Sequence, residues 1–216
     1  MKPTFALLLA SLTLLAQVAL ADDLDWQADV HYHLISPAPP PGQTAGVEVA
    51  EFFWYGCPHC YQFEPYVKQW LQTKPEDVRF VRIPAMFGGA ADLHARAYYA
   101  LEVMGELERL HEPFFKVIQE EKRKLRSPAE LEEWVQSQGV DVEKFRATMD
   151  SFAVHAKVNR AQSLMRRYGV RSVPTMVVDA RYRSGSGFRG YEDVIEVTKY
   201  LVDKVRSSQA AAAATQ

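Results

Sequence analysis

The apolar positions of residues 47–55, VEVAEFFWY, fall on both faces of an extended chain, the pattern of a central strand covered on each side. Directly afterwards the period lengthens to that of a helix, with Cys60, Phe63, Val67, Trp70 and Leu71 on one stripe. Gly56 permits a tight turn between the two, and Pro58 stands at the first helical position, where proline is best tolerated. Pro65 is expected to kink this helix by removing the bond to Tyr61. Weaker patterns at 29–35 and 78–83 read as further strands, separated by the stiff connector SPAPPPG at 36–42, and Pro84 with Gly88-Gly89 marks a junction.

Beyond that junction the pattern is helical. Leu93, Ala97, Leu101 and Met104 repeat at helical spacing and stop at Gly105. Ser127-Pro128-Ala129-Glu130 is a capping box opening another helix that ends near Gly139, and Val154, Val158, Ala161, Met165 and Tyr168 form a further stripe stopping at Gly169. A strand at 175–179, its hairpin partner at 180–183 and a closing helix at 191–206 complete the chain. A βαβ unit and a ββα unit separated by helices predict an α/β, thioredoxin-like fold with an inserted helical domain. The expected division is 22–88 and 166–206 for the two parts of the α/β domain, 89–165 for the insertion and 207–216 for a floppy tail without apolar anchors.

The first residues change the picture of where this domain works. Lys2, an apolar stretch at 5–15 and Ala19-Leu20-Ala21 spell a secretory leader over 1–21, too short to span a bilayer. Its removal leaves 24 basic against 27 acidic residues, a net charge of −3 with no nucleic-acid footprint. An exported, soluble protein with only two cysteines relies on its core for stability, since small disulfide-built scaffolds carry many.

Both cysteines sit in CPHC, Cys57 to Cys60, on the strand-to-helix turn. As a structural clip the pair would gain only about 2 kcal/mol from closing so short a loop. As half of a zinc site it lacks the second pair of ligands such sites want; His31 and His33 alternate on a strand, and His94, His111 and His155 are isolated on helices. As a redox pair it has what the chemistry needs. Cys57 lies at a helix mouth, where unpaired backbone N–H groups favour a thiolate. Cys60, one turn in on the apolar stripe, is placed to resolve a mixed disulfide. His59 between them is expected to offer the Cys57 sulfur a hydrogen bond or a positive charge, which stabilises the thiolate and makes the pair an oxidant. Gly185 to Gly190 spells GxGxxG, but no strand follows to complete a dinucleotide-binding unit, and the segment reads as a flexible exit from the hairpin.

Taken together, EFFWYGCPHCYQFEP, the MFGG junction, an insertion of matching length and VPTMVV before the last helix resemble the DsbA family of thiol:disulfide interchange proteins over nearly the whole mature chain. The resemblance implies a periplasmic donor of disulfides to unfolded or folding exported proteins, reoxidised by a DsbB-like quinone-linked membrane oxidase. It implies no cofactor beyond the redox-active Cys57–Cys60 disulfide, no metal and a monomer. By the same resemblance Cys57 is the reactive and Cys60 the resolving cysteine, Pro58 and His59 are the tuning dipeptide, and Pro174 is a cis-proline preceded by Val173, whose backbone pairs with the substrate. The insertion would cap the site and shape the groove. Glu51 resembles a family acid beneath the site, expected to be partly buried with a raised pKa, a possible proton-handling role and Arg82 as partner. Two features depart from the pattern: the hairpin turn near Asp179-Ala180 lacks Asn-Gly, and Pro65 is an added kink. Other readings of the same residues are an isomerase or reductase, and a peptide-binding module using exposed Trp54 and Phe87.

Overall fold

The computed structural model describes residues 26–38 and 46–214. The leader expected at 1–21, the end of the 36–42 connector and the last two residues of the tail lie outside the described residues.

A five-stranded sheet carries the fold. β1 (Tyr32–Leu34), β2 (Val47–Phe53), β3 (Val78–Pro84), β4 (Thr175–Val178) and β5 (Tyr182–Ser184) lie in the spatial order β1-β5-β4-β2-β3. β2 pairs parallel with β3, from Val47 opposite Val78 to Phe53 opposite Pro84, and antiparallel with β4, from Val49 opposite Val178 to Phe52 opposite Thr175. Sitting second from the edge with neighbours on both sides, β2 is buried along nearly its whole length. Its alternation feeds two cores. Val47 and Val49 meet Phe63, Val67 and Trp70 of α1 (Pro58–Thr73) and Val197 and Leu201 of α7 (Tyr191–Ala214). Ala50 and Phe52 face the helical block, which packs around Leu101, Phe114, Leu131 and Phe145.

That block holds α2 (Ala90–Met104), α3 (Leu107–Gln119), α4 (Pro128–Ser137), α5 (Val142–Met149) and α6 (Phe152–Tyr168). The capping box at Ser127 forms as the sequence indicates, with the Ser127 hydroxyl accepting from the Glu130 amide at 3.3 Å. α3 and α5 were not expected from the sequence. α3 buries Leu110, Phe114, Phe115, Val117 and Ile118, yet Pro113 lies in its interior. α5 is only eight residues long, capped by Asp141 accepting from the Lys144 amide, and buries Phe145 and Met149 one turn apart.

Three boundaries differ from expectation. The first strand begins at Tyr32, not residue 29, because Asp29 adopts φ 64° and its amide donates to the Tyr32 carbonyl in a turn. β4 ends at Val178 and β5 starts at Tyr182, because Asp179 and Ala180 both take positive φ, 50° and 52°, in the turn where Asn-Gly was missing. α6 ends at Tyr168 before Gly169, where its apolar stripe was expected to stop, and so spans the 165/166 division. The tail expected to be floppy from Ser207 instead continues α7 to Ala214. Alanine has the strongest helix propensity, and the Ser207 and Ser208 hydroxyls bond back to the Asp203 and Lys204 carbonyls. Nor is the Gly185–Gly190 segment a loose exit. The Gly185 and Ser186 amides donate to the His31 and Val30 carbonyls, and a Cβ at Gly185 would sit 2.2 Å from the Val30 oxygen.

Candidate active site

The turn out of β2 is built from three residues. The Cys57 amide donates to the Trp54 carbonyl at 2.9 Å, and the Trp54 ring lies so close over Gly56 that any Cβ there would collide with it. Cys57 is the extended cap residue of α1, at φ −90° and ψ 115°, and Pro58 is its first helical residue. The Cys57 side chain does not cap the helix itself, which leaves the sulfur facing the orphan N–H groups of the first turn.

Both cysteines are free thiols. Cys60 is fully buried, whereas Cys57 keeps a sliver of surface, 8 % exposed. Across 116 residues of sequence the Cys57 Sγ lies 3.5 Å from the Val173 carbonyl oxygen, and the Val173-Pro174 peptide is cis. The structure therefore brings Cys57, Pro58, Cys60, Val173 and Pro174 together at one spot.

The electrostatics separate the two sulfurs. A hydrogen bond from the Cys60 thiol, the Cys60 and His59 backbone N–H groups and the His59 charge lower the Cys57 pKa to about 6, against the opposing effect of burial. Burial first, then its donated hydrogen bond and the Cys57 charge, push the Cys60 thiol far up. Cys57 is thus the thiolate at neutral pH and Cys60 keeps its proton.

Of the two contributions read for the His59 ring, the structure supports the charge on the Cys57 sulfur and not a ring hydrogen bond to it. The His59 backbone N–H serves the sulfur, but the exposed ring turns to Tyr191, with Nδ1 3.0 Å from the phenol oxygen. That phenol in turn donates to Gln62 Oε1 at 2.9 Å.

Beneath the turn lies a line of buried polar groups. Glu51 is wholly inaccessible, and Arg82 Nε approaches its Oε2 to 3.2 Å without the alignment of a hydrogen bond. Burial and the Glu64 charge push the Glu51 carboxyl up to about 8 despite the opposing Arg82 cation. Arg82 also donates to Glu64 at 2.9 Å; Glu64 lies 3.4 Å from His111 Nε2, and His111 Nδ1 is 2.8 Å from the Tyr55 hydroxyl. Gln119 holds the Tyr55 carbonyl at 2.7 Å. Glu64, His111, Tyr55 and Tyr191 were missed by sequence reasoning. One signal was there for Glu64, a carboxylate one turn after Cys60 on an otherwise apolar stripe.

Of the aromatics near the site, Phe87 is 46 % exposed while Trp54 is half-buried, its indole N–H donating to His94 Nδ1 at 3.2 Å. With Gly56, Ala91, His94 and Ile118 they line a cleft of about 270 Å³ beside the turn. His31 packs its ring against Trp26 and Phe188, and His33 lies 3.6 Å from Asp29. Among the described residues no three His, Cys, Asp or Glu side chains converge as a metal site would require, and no helix is long and apolar enough to cross a membrane.

Residues 48–199 match the DSBA-like thioredoxin domain family. The chain is 40% identical over 202 residues to the thiol:disulfide interchange protein DsbA of Pseudomonas aeruginosa, covering 93% of this chain and 95% of that one. To its counterpart in Pseudomonas syringae it is 41% identical over 182 residues, 84% and 85% of the two chains. The crystal structure of P. aeruginosa DsbA superposes with a TM-score of 0.78, at 40% identity over 87% of this chain and 97% of that one. Because the matched span holds the strand, the turn, both cysteines and the proline-preceded strand that meets them, this chain belongs to the DsbA family of thiol:disulfide oxidoreductases.

Proposed function

We propose that this protein donates the Cys57–Cys60 disulfide to newly exported polypeptides in the periplasm, acting as a monomer. The observation that carries the reading is the asymmetry of the two sulfurs, one held as a thiolate at a helix mouth beside Val173 and one buried with its proton. The DsbA family is itself a standing example of a strongly lowered cysteine pKa, so the direction found here follows the family.

The exchange runs in two steps. A substrate thiolate attacks Cys57 Sγ, the Cys57–Cys60 bond breaks, and Cys60 leaves with the electron pair and takes up a proton. A second substrate thiolate then attacks the substrate sulfur of the mixed disulfide and expels Cys57 as its stabilised thiolate. Two substrate thiols have become a disulfide, and the pair has gained two electrons. Pro58 and His59 tune the leaving thiolate, and the Val173 and Pro174 backbone aligns the substrate strand beside it. Glu51, which holds its proton at neutral pH, is the proton reservoir for Cys60. The exposed Phe87 and its cleft offer an apolar seat for an unfolded chain. A DsbB-like, quinone-linked membrane oxidase removes the two electrons and restores the disulfide, with no cofactor in this chain.

The deciding experiment is equilibration of the Cys57–Cys60 pair against glutathione. A reduction potential above that of thioredoxin by at least about 60 mV, two decades in equilibrium constant, is expected. A value at thioredoxin's level would reverse the direction of electron flow and make the protein a reductase.

A further inference from the structure

The His59 ring is exposed on the first turn of α1. It is nevertheless tethered, from 132 residues away. Tyr191, the first residue of α7, places its hydroxyl 3.0 Å from His59 Nδ1. The Tyr191 ring is itself fixed, with centroids 5.7 Å from Phe63 and 5.5 Å from Tyr66 on the same helix as the cysteines.

Counting protons settles who donates. A phenol has one hydrogen and lone pairs to accept. Its hydrogen goes to Gln62 Oε1, 2.9 Å away and one turn beyond His59 on the same face of α1. The contact with His59 is then complete only if Nδ1 carries a proton and donates it. The neutral ring therefore keeps its proton on Nδ1 and leaves Nε2 as the free nitrogen. Protonation of Nε2 creates the imidazolium without disturbing the tether. The phenol also feels the active sulfur, since burial and then the Cys57 charge push its own ionisation up.

We propose that Tyr191 is a positioning residue for the disulfide exchange: with Gln62 it fixes the tautomer and the place of the His59 ring, and through that ring it stabilises the Cys57 thiolate. The proposal rests on the redox reading of the cysteine pair, but not on the direction of electron flow. Nothing in the CPHC motif indicates it, because the partner comes from the opposite end of the chain.

The test is Tyr191→Phe, which keeps the ring contacts with Phe63 and Tyr66 and removes only the oxygen. Thiolate absorbance of Cys57 should titrate at a higher pH than in the wild type. The equilibrium constant for reduction by glutathione should fall about three- to tenfold, the upper end corresponding to about 30 mV. In a His59→Ala background the same substitution should change neither quantity, since the ring it acts through is gone. Equal effects with and without His59, or no effect in either, would overturn the proposal. Should Tyr191→Phe lower the thermal midpoint and blur the comparison, the 15N shifts of His59 in the wild type decide instead: Nδ1 protonated is the expected state, and a neutral ring protonated on Nε2 overturns the assignment. A wild-type potential at thioredoxin's level would end the oxidase reading while leaving these differences between variants intact, so the two failures are distinguishable.

Discussion

The Cys57 Sγ lies 3.5 Å from the carbonyl oxygen of Val173, the residue that precedes the cis-proline and leads into β4. The contact exists because β4 pairs antiparallel with β2, so that the start of one strand and the end of the other meet at the same end of the sheet. In the exchange proposed above, a substrate strand lying along Val173 would have its own sulfur delivered to the sulfur that ionises once the pair is reduced. The ion is held there by the first turn of α1, not by a neighbouring cation alone.

The ionisation of Cys57 fixes the pH dependence of the couple. With Cys57 titrating at about 6 and Cys60 protonated throughout, the reduced form holds one proton above pH 6 and two below it. The reduction potential should then fall by about 30 mV per pH unit above pH 6 and about 60 mV per unit below it. Because the folded pKa lies below the ordinary cysteine value of about 8.5, the thiolate's contribution to the stability of the reduced protein is complete above that value and lost as pH falls through 6. Potentials measured from pH 4.5 to 8 should show the break; a single slope of 60 mV per unit to pH 8 would contradict the lowered pKa.

Glu51 gives the opposite pH signature. Its folded pKa of about 8 lies above the ordinary carboxyl value of about 4.3, so between these limits the folded protein holds a proton that the unfolded chain releases. Stability from this group is present below about pH 4.3 and falls with rising pH, by at most about 1.4 kcal/mol per unit, until pH 8. Glu51→Gln removes the titration. Urea unfolding at pH 5 and at pH 7.5 should show the variant gaining on the wild type by a few kcal/mol as pH rises. Parallel stability curves would mean that Glu51 is ionised when folded.

Local signals made the strand, the turn and the helix around CPHC readable, because Gly56, Pro58 and the Cys60 stripe act within one turn of themselves. Fold class followed from the same alternation of strand and helix patterns. What stayed hidden depends on distant pairings. His111 meets Tyr55 across 56 residues and Tyr191 meets His59 across 132, and neither pairing leaves a mark on local periodicity. The meeting of Val173 with Cys57 was implied by family resemblance, not by spacing. α3 was obscured because Pro113 reads as a helix breaker in a segment that packing with Tyr55 and Trp134 holds together through the Phe114 ring. The tail was misread because absence of apolar anchors does not prevent an alanine run from prolonging a helix already started.

That continuation of α7 should matter little to the fold. The last buried side chain of the helix is Val205, and none from Ser207 to Ala214 is buried. Deleting 207–216 should remove about two turns of helix from the circular dichroism signal while changing unfolding stability by less than about 1 kcal/mol. A loss of several kcal/mol would show that this stretch packs against something the expected picture omits. Arg206, whose guanidinium pairs with Asp77 near the start of β3, is left in place by the truncation.

Arg82 is the residue on which the polar line beneath the active site turns. It is mostly buried, and its cation serves two carboxylates from two elements, Glu51 on β2 and Glu64 on α1. Glu64 is the one that ionises: burial opposes it, but the His111 hydrogen bond and the Arg82 charge hold it below the usual carboxylate range. Arg82→Met would leave that charge buried without its cation, a situation that typically costs about 3–5 kcal/mol. Adding Glu64→Gln removes the stranded charge, so the double variant should recover a large part of the loss, and the sum of the single effects should exceed the effect of the pair. Thermal or urea unfolding of the four proteins at pH 7 measures this directly. Additive losses would mean that water, not Arg82, satisfies Glu64. The same series bears on the proton-reservoir role proposed for Glu51, because Arg82→Met takes away the cation beside its carboxyl, which should then hold its proton to still higher pH.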